Sequence, residues 1–494
     1  MICMNETTSK ERLSHLVVRG GFWVLTLRIT QQIFHVVRLI ILARLLAPHD
    51  FGLLGIALLT MATLETFSHT GFHAALIQKK VITEAYLNSA WTVSTIRGII
   101  LFTILYCIAP LAAEFFNAPE AKHIIQVIGL SILFQAITNV GVIYFQKELE
   151  FKKLFLYQLS GTLADFIVAV YTALLLRNVW ALVFGLLAGR IVRCIMSYCI
   201  HPYRPHISLD FEKVKELFRF GKWLLGSSIL VFLITQGDDI FVGKLLGATM
   251  LGFYQIAYRI SNIPATEITH VLSQVTFPAY SKLQYNIPKL REAYLKVLQV
   301  TAFLSFPMAG LLFVLAPDFT RIFLGEKWMP MVPAMQVLAL WGLLRSLGAT
   351  TGPIFLSIGK PKLLTQLQCL ALLFLSILIY PFTIKWALVG TSLAVLFSTL
   401  VPNVVALFIV IKITECGMRS FAKMILLPLL NTTVLISFTI LIKTYLSSSD
   451  TFTLLVSVTL GGLFYFCITQ LFDKFFSYGI YPLIKESILS LKSV

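Results

Sequence analysis

An all-α membrane protein of about fourteen spans, built as two related halves, is the fold class that three observations predict. The 494-residue chain is 57% hydrophobic and only 13% charged, with a mean hydropathy of +0.84, outside the range of soluble domains. Apolar runs long enough to cross a hydrocarbon core of about 30 Å follow one another almost end to end. The stretch 19–57 recurs without a gap at 219–257, an offset of 221 − 21 = 200. About eleven of roughly 39 positions are identical, among them Trp23/Trp223, Leu45/Leu245, Leu46/Leu246 and Gly52/Gly252.

The spans fall near 21–46, 52–77, 85–111, 122–145, 154–176, 179–200, 223–246, 251–279, 297–317, 331–357, 364–383, 387–411, 424–444 and 452–471. Six precede the second copy of the repeat. Six is even, so both copies enter the membrane in the same orientation, as parallel repeats about an axis along the membrane normal. The expected organisation is a first lobe over 1–200, a linker over 201–222, a second lobe over 223–412, and two extra spans with a tail over 413–494. In the linker, Phe211, Val214, Leu217 and Phe218 recur at helical spacing among charges, which predicts an amphipathic helix lying in the cytoplasmic interface.

The net charge of +17 would suit nucleic acid if it were gathered on a soluble domain, but no such domain is visible. Lys and Arg instead crowd alternate loops, about 25 of the 40 on one side and about 8 on the other. With an even span count this places both termini in the cytoplasm and the chain in the cytoplasmic (inner) membrane. The seven cysteines form no CxxC and lie mostly in apolar runs, so they read as small buried hydrophobes. The polar N-terminus lacks the apolar core of a cleavable signal, and insertion is expected to rely on the first span.

Ionisable groups inside spans are expensive and normally face a bundle interior or a wet cavity. In span 1, Arg28, Gln31, Gln32, His35 and Arg38 fall within about 120° of arc. One such residue could simply pair with a neighbouring helix. A five-member stripe with two arginines favours a cavity lining. Glu65, His69 and His73 form a second stripe at four-residue spacing, weak as a metal site because no fourth ligand is fixed, and better read as facing the same cavity. Arg97, Asp165, Arg190 and Arg193 continue the first lobe, the last two near a helix end where they could snorkel, the preferred reading for Arg193. In the second lobe Asp238, at the repeat position of Arg38, is followed by Asp239, and span 8 holds Arg259, Asn262, Pro264, Glu267 and His270. Arg345 lies in span 10. An arginine-lined cavity suits an anionic group, above all phosphate oxygens.

No nucleotide loop, nucleophile elbow, zinc-protease motif or CxxC pair is present, so no enzyme chemistry or cofactor is expected. Transport would then draw on a proton or sodium gradient, the membrane potential or the substrate gradient. Glu65, Asp165, Asp238, Asp239 and Glu267 are the residues eligible for coupling or charge balance.

Several segments together resemble the bacterial polysaccharide-biosynthesis flippases of the multidrug/oligosaccharidyl-lipid/polysaccharide superfamily. They include ILARLLAPHDFGLLGIA (41–57), FQKELEFKKL (145–154), GDDIFVGKLLGATMLGFYQIAYRISNIP (237–264) and IFLGEKWMPMVPAMQVLAL (322–340). The likeness covers roughly residues 10–415. It implies a MATE-like fold of two six-helix lobes in a V that opens alternately inward and outward. It also implies an undecaprenyl-pyrophosphate-linked oligosaccharide repeat unit as cargo, for O-antigen, capsule or exopolysaccharide. The head-group candidates it suggests are Arg28, Arg38, Arg97, Arg259 and Arg345, to which the span-1 stripe adds His35, and Asp238 stands at an acidic position common in this branch. A monomer is expected, working beside a polysaccharide polymerase and a chain-length regulator. The alternatives are a MATE-type exporter of cationic drugs, whose cavity should be acidic, and a membrane polymerase or ligase, which would need a larger outer loop.

Overall fold

The computed structural model describes residues 2–68, 70–78, 83–446, 450–476 and 478–480. Most of the described residues are helical and none forms a strand, and among them ten helices are long and apolar enough to cross a membrane. The chain packs as two compact units, Met1–Gly252 and Phe253–Val494.

The first unit opens with α1 (Ile2–Leu45) and α2 (Pro48–Phe67). The Asp50 carboxylate accepts from the Ala47 N–H at 2.8 Å, and Pro48 fits the first helical position because it has no N–H to satisfy. α2 does not run through to residue 77. It stops at Ser68, Gly71 takes φ 70°, and a separate α3 (Phe72–Gln78) follows. The break puts Glu65 and residue 73 on separate helices; His69 and the His73 side chain, the other members of the expected stripe, lie outside the described residues.

α4 (Glu84–Phe115) is a full span. The next stretch, expected as one helix, is broken into α5 (Ala121–Ile128), α6 (Leu130–Ala136), a 3₁₀ turn and α7 (Ile143–Lys147), with a 68° bend. Side chains satisfy the carbonyls freed there. Tyr198 Oη donates to Ile137 O at 2.6 Å and Trp91 Nε1 to the same oxygen at 3.2 Å. Asn139 caps the turn by accepting from the Gly141 N–H at 2.8 Å.

α8 (Phe151–Leu176) and α9 (Trp180–Ile200) form a tight helical hairpin. Gly161, Gly185 and Gly189 allow the close approach, and any of the three carrying a methyl would meet Arg193, Ala169 or Asp165. After α9 the chain runs extended over 201–210. The N–H groups of His206, Ser208 and Asp210 donate to Asn88 Oδ1, Thr92 Oγ1 and Ser89 Oγ at 3.0–3.1 Å, tying alternate residues to α4. Burial pushes the Tyr203 phenol up to about 12, so it stays protonated and donates to Asn88.

The amphipathic segment is not a separate interfacial helix. It forms the first turns of α10 (Phe211–Leu246), capped by Asp210, whose carboxylate accepts from the Glu212 and Lys213 N–H groups. Its apolar residues divide: Leu217 and Val214 pack in a core with Phe72, Leu76, Tyr86 and Ile143, while Phe211 and Phe218 are exposed. Glu216 accepts from Tyr86 Oη at 2.5 Å, while Lys213 lies over the Tyr86 ring.

Most of α11 (Ala248–Leu283) belongs to the second unit, with α12 (Ile287–Phe319), α13 (Val332–Gly348), α14 (Gly352–Ser357) and α15 (Pro361–Thr414). α15 is two helices joined by a reversal, since Ala387 takes φ 48°, ψ −129°. Residues eight apart in a straight helix would be about 12 Å apart, yet the Thr383 and Thr391 hydroxyls meet at 2.9 Å. The core of this unit holds Tyr280, Tyr294, Leu298, Phe306 and Phe355. α16 (Met418–Tyr445) and α17 (Asp450–Phe476) pack on α12. Lys443 pairs with Asp318 at 2.5 Å, and Tyr465 Oη donates to Phe303 O at 3.1 Å.

The cysteines depart from expectation. Cys194 and Cys416 are buried, but Cys107, Cys199, Cys369 and Cys467 are exposed on the outer faces of their helices. An apolar run in a membrane span can face lipid as readily as protein.

Candidate functional site

The first unit contains a cavity of about 750 Å³. Its walls come from the end of α2, the start of α4, the broken α6–α7 stretch, the start of α8 and the later turns of α9, with Ser228 of α10. Each helix contributes by its own periodicity. Ala62, Glu65 and Thr66 face in from α2, Trp91, Ser94, Arg97 and Gly98 from α4, and Leu154, Tyr157 and Gln158 from α8.

Among the described residues, four charged side chains line it: Glu65, Arg97, Arg190 and Arg193. Arg97 is committed to the protein. Its Nε donates to Ser68 O at 2.8 Å, and its Nη2 to Glu65 O at 3.1 Å and to Ser68 Oγ at 2.8 Å. A guanidinium at the end of α2 satisfies carbonyls that the helix leaves open and meets the negative end of its dipole. Arg190 and Arg193 stand one turn apart on α9 and have no hydrogen-bond partner among the described residues. Arg193 does not snorkel outward. Gly161 leaves a notch on α8, and the Arg193 side chain lies across it, half-buried, with Nε out of reach of solvent.

The span-1 stripe is placed elsewhere, and none of its five members lines the cavity. Gln31 Nε2 donates to Thr162 Oγ1 at 3.3 Å, and Arg38 Nη2 meets Asp165 Oδ1 at 2.9 Å. Ring contacts of Trp23 with Phe155 and Phe34 with Phe166 continue the α1–α8 seam on either side. Arg38 and Asp165 are 16% and 14% exposed, so the pair is a largely dehydrated tie between helices. Arg28 and His35 are half-buried on α1.

In the second unit, Arg345 Nη1 donates to Asn262 Oδ1 at 2.9 Å and its guanidinium lies over the Trp341 ring, so α11 and α13 use it as a brace. Arg259 and Glu267 are exposed, and the His270 side chain lies outside the described residues. In the first unit Asp238 is buried at 1% exposure and Asp239 is half-buried, both on α10.

Of the residues singled out in the sequence, Glu65, Arg97, Arg190 and Arg193 line this cavity; Trp91, Gln146 and Gln158 line it too and were not singled out. Trp91 and Gln158 recur with other lining residues at three- and four-residue spacing, Trp91 with Ser94 and Arg97 in span 3 and Gln158 with Leu154 in span 5, while Gln146 lies just beyond the end of span 4.

A broken-helix bundle around a cationic cavity can be compared with known proteins. The sequence profile described as polysaccharide biosynthesis protein matches residues 41–333. The chain belongs to that family. It is 27% identical over 379 residues to the lipopolysaccharide biosynthesis protein WzxC of Escherichia coli, covering 76% of this chain and 77% of that one. It is 26% identical over 401 residues to the teichuronic acid biosynthesis protein TuaB of Bacillus subtilis, covering 80% and 83%. Among solved structures, the lipid II flippase MurJ in an inward closed conformation aligns with a TM-score of 0.77 at 15% identity, over 92% of this chain and 99% of that one. An inward-facing MATE multidrug transporter aligns with a TM-score of 0.60 at 17% identity, over 78% and 96%. The family member described here is thus a polytopic membrane protein whose fold is shared with the MurJ and MATE structures.

Proposed function

We propose that this polysaccharide biosynthesis protein is a flippase that moves an undecaprenyl-pyrophosphate-linked oligosaccharide repeat unit across the cytoplasmic membrane. The observation that carries the reading is the cavity, where three arginines face one carboxylate and two of the arginines are uncommitted. A pyrophosphate diester brings two negative charges, which Arg190 and Arg193 match, and planar guanidinium forks suit its oxygens. The head group enters from the cytoplasmic end, where the basic loops around Lys147, Lys152 and Lys153 gather, and the lipid tail stays in the bilayer. Alternating access then exposes the head group on the other side. Both termini are cytoplasmic in this reading, and Glu65, the carboxylate of the lining, is the residue placed to couple a proton or sodium gradient.

A MATE-like exporter of cationic drugs is disfavoured by the same cavity, since a cationic surplus repels a cation. Reconstitution in liposomes with a labelled lipid-linked oligosaccharide is the test. Translocation by the wild type and loss of it in an Arg190→Ala/Arg193→Ala variant are expected. Drug export with no movement of any lipid-linked glycan would overturn the reading.

A further inference from the structure

The cavity holds a second set of groups that phosphate does not need. Gln146 of α7 and Gln158 of α8 are half-buried in its wall, and their side-chain amides have no hydrogen-bond partner among the described residues. Each amide offers two donors and an acceptor. Trp91 stands in the same wall with its indole N–H already given to Ile137 O at 3.2 Å, so its ring offers the cavity only an apolar surface. Uncommitted amides beside an aromatic face are the chemistry that reads a sugar ring, with hydroxyls on its edge and C–H groups on its face.

Charge counting narrows the sugar. Arg97 is occupied by the end of α2, which leaves Arg190 and Arg193 for the phosphates and no further arginine or lysine among the described lining residues. Glu65 in the same lining would repel a second carboxylate. We infer that Gln146, Gln158 and Trp91 form a subsite for an uncharged sugar adjoining the pyrophosphate, and that this subsite selects neutral over uronic-acid repeat units. The inference rests on the flippase reading given above and sharpens its substrate class.

Proteoliposome transport with three probes tests it: undecaprenyl pyrophosphate carrying a neutral sugar, the same lipid carrying a uronic acid, and undecaprenyl pyrophosphate without sugar. The wild type should move the neutral-sugar lipid about tenfold faster than the uronic one. A Gln146→Ala/Gln158→Ala variant should lose about tenfold more on the neutral-sugar lipid than on the sugar-free lipid, which removes any general folding defect from the comparison. A Trp91→Leu variant should show the same bias. Equal losses on the two lipids, or a wild type that prefers the uronic lipid, would overturn the subsite while leaving the flippase reading standing. A wild type that moves none of the three lipids would sink both.

Discussion

Gly52 and Gly252 sit at the crossing of the starts of α2 and α11, and each lies against the other's helix. A methyl on Gly52 would overlap the Ala248 carbonyl oxygen, and one on Gly252 would overlap the Pro48 carbonyl oxygen. The two contacts exchange when 200 is added to or subtracted from the residue numbers, the relation read from the sequence repeat. Because the obstacle is backbone on both sides, neither helix can yield by a rotamer change.

Gly52→Ala and Gly252→Ala should therefore each destabilise the protein by about 1–3 kcal/mol, the usual cost of overpacking. Thermal unfolding in detergent gives the measurement. Gly226 is the control: nothing lies within 4 Å of an added methyl, so Gly226→Ala should hold or raise stability by up to about 1 kcal/mol. Equal behaviour of all three would show that the close approach is not limiting.

Arg38 and Asp165 should behave as a structural pair. Removing one partner leaves a buried charge, so Arg38→Met or Asp165→Leu alone should cost about 3–5 kcal/mol. The double variant should recover most of the loss, because two apolar side chains of similar volume need no compensation. Additive losses in a double-mutant cycle would argue that the two residues act separately.

Arg190 and Arg193 should behave in the opposite way. Like charges one turn apart cost a few tenths of a kcal/mol in a helix, so Arg190→Ala should unfold no earlier than wild type. Its transport of a lipid pyrophosphate should nevertheless fall at least tenfold, by a charge-assisted bond worth about 1.5–3 kcal/mol. Normal transport with normal abundance would remove Arg190 from the head-group site.

His201 gives a pH dependence whose sign is fixed. Burial, then the Lys153 ammonium, lowers its pKa below the ordinary 6.5, with Arg204 acting in the same direction and Glu150 and Glu148 opposing. Its ring stacks on Tyr144, and its Nδ1 accepts from the Tyr203 N–H at 3.1 Å. Above about pH 6.5 both folded and unfolded chains carry a neutral imidazole and the group costs nothing. As the pH falls through that value the unfolded chain takes the proton first, and stability declines until the lower folded pKa is reached. The melting temperature between pH 8 and pH 5 should fall more steeply in wild type than in His201→Phe. Identical slopes would mean that another group carries the dependence.

The sequence by itself determined the all-helical membrane class, because that depends on hydropathy summed over about twenty residues at a time. It also determined that charges lie inside the spans, since any ionisable residue in an apolar run stands out. Which of those charges are spent and which remain uncommitted was decided by the tertiary structure. Arg38 and Arg190 look alike in sequence, yet one meets Asp165 across a helix seam and the other faces a cavity. Arg97 was legible as a lining residue but not as the cap of α2, because the break at Ser68–Gly71 that makes the cap necessary leaves only a weak local signal. The amphipathic segment at 211–218 read as a separate surface helix because its pattern does not show that it continues into the next span, nor that Leu217 packs beside Tyr86 while Phe211 and Phe218 stay exposed. Periodicity gives the face of a helix. What stands opposite that face is set by partners far away in the chain, and that is where the site was made.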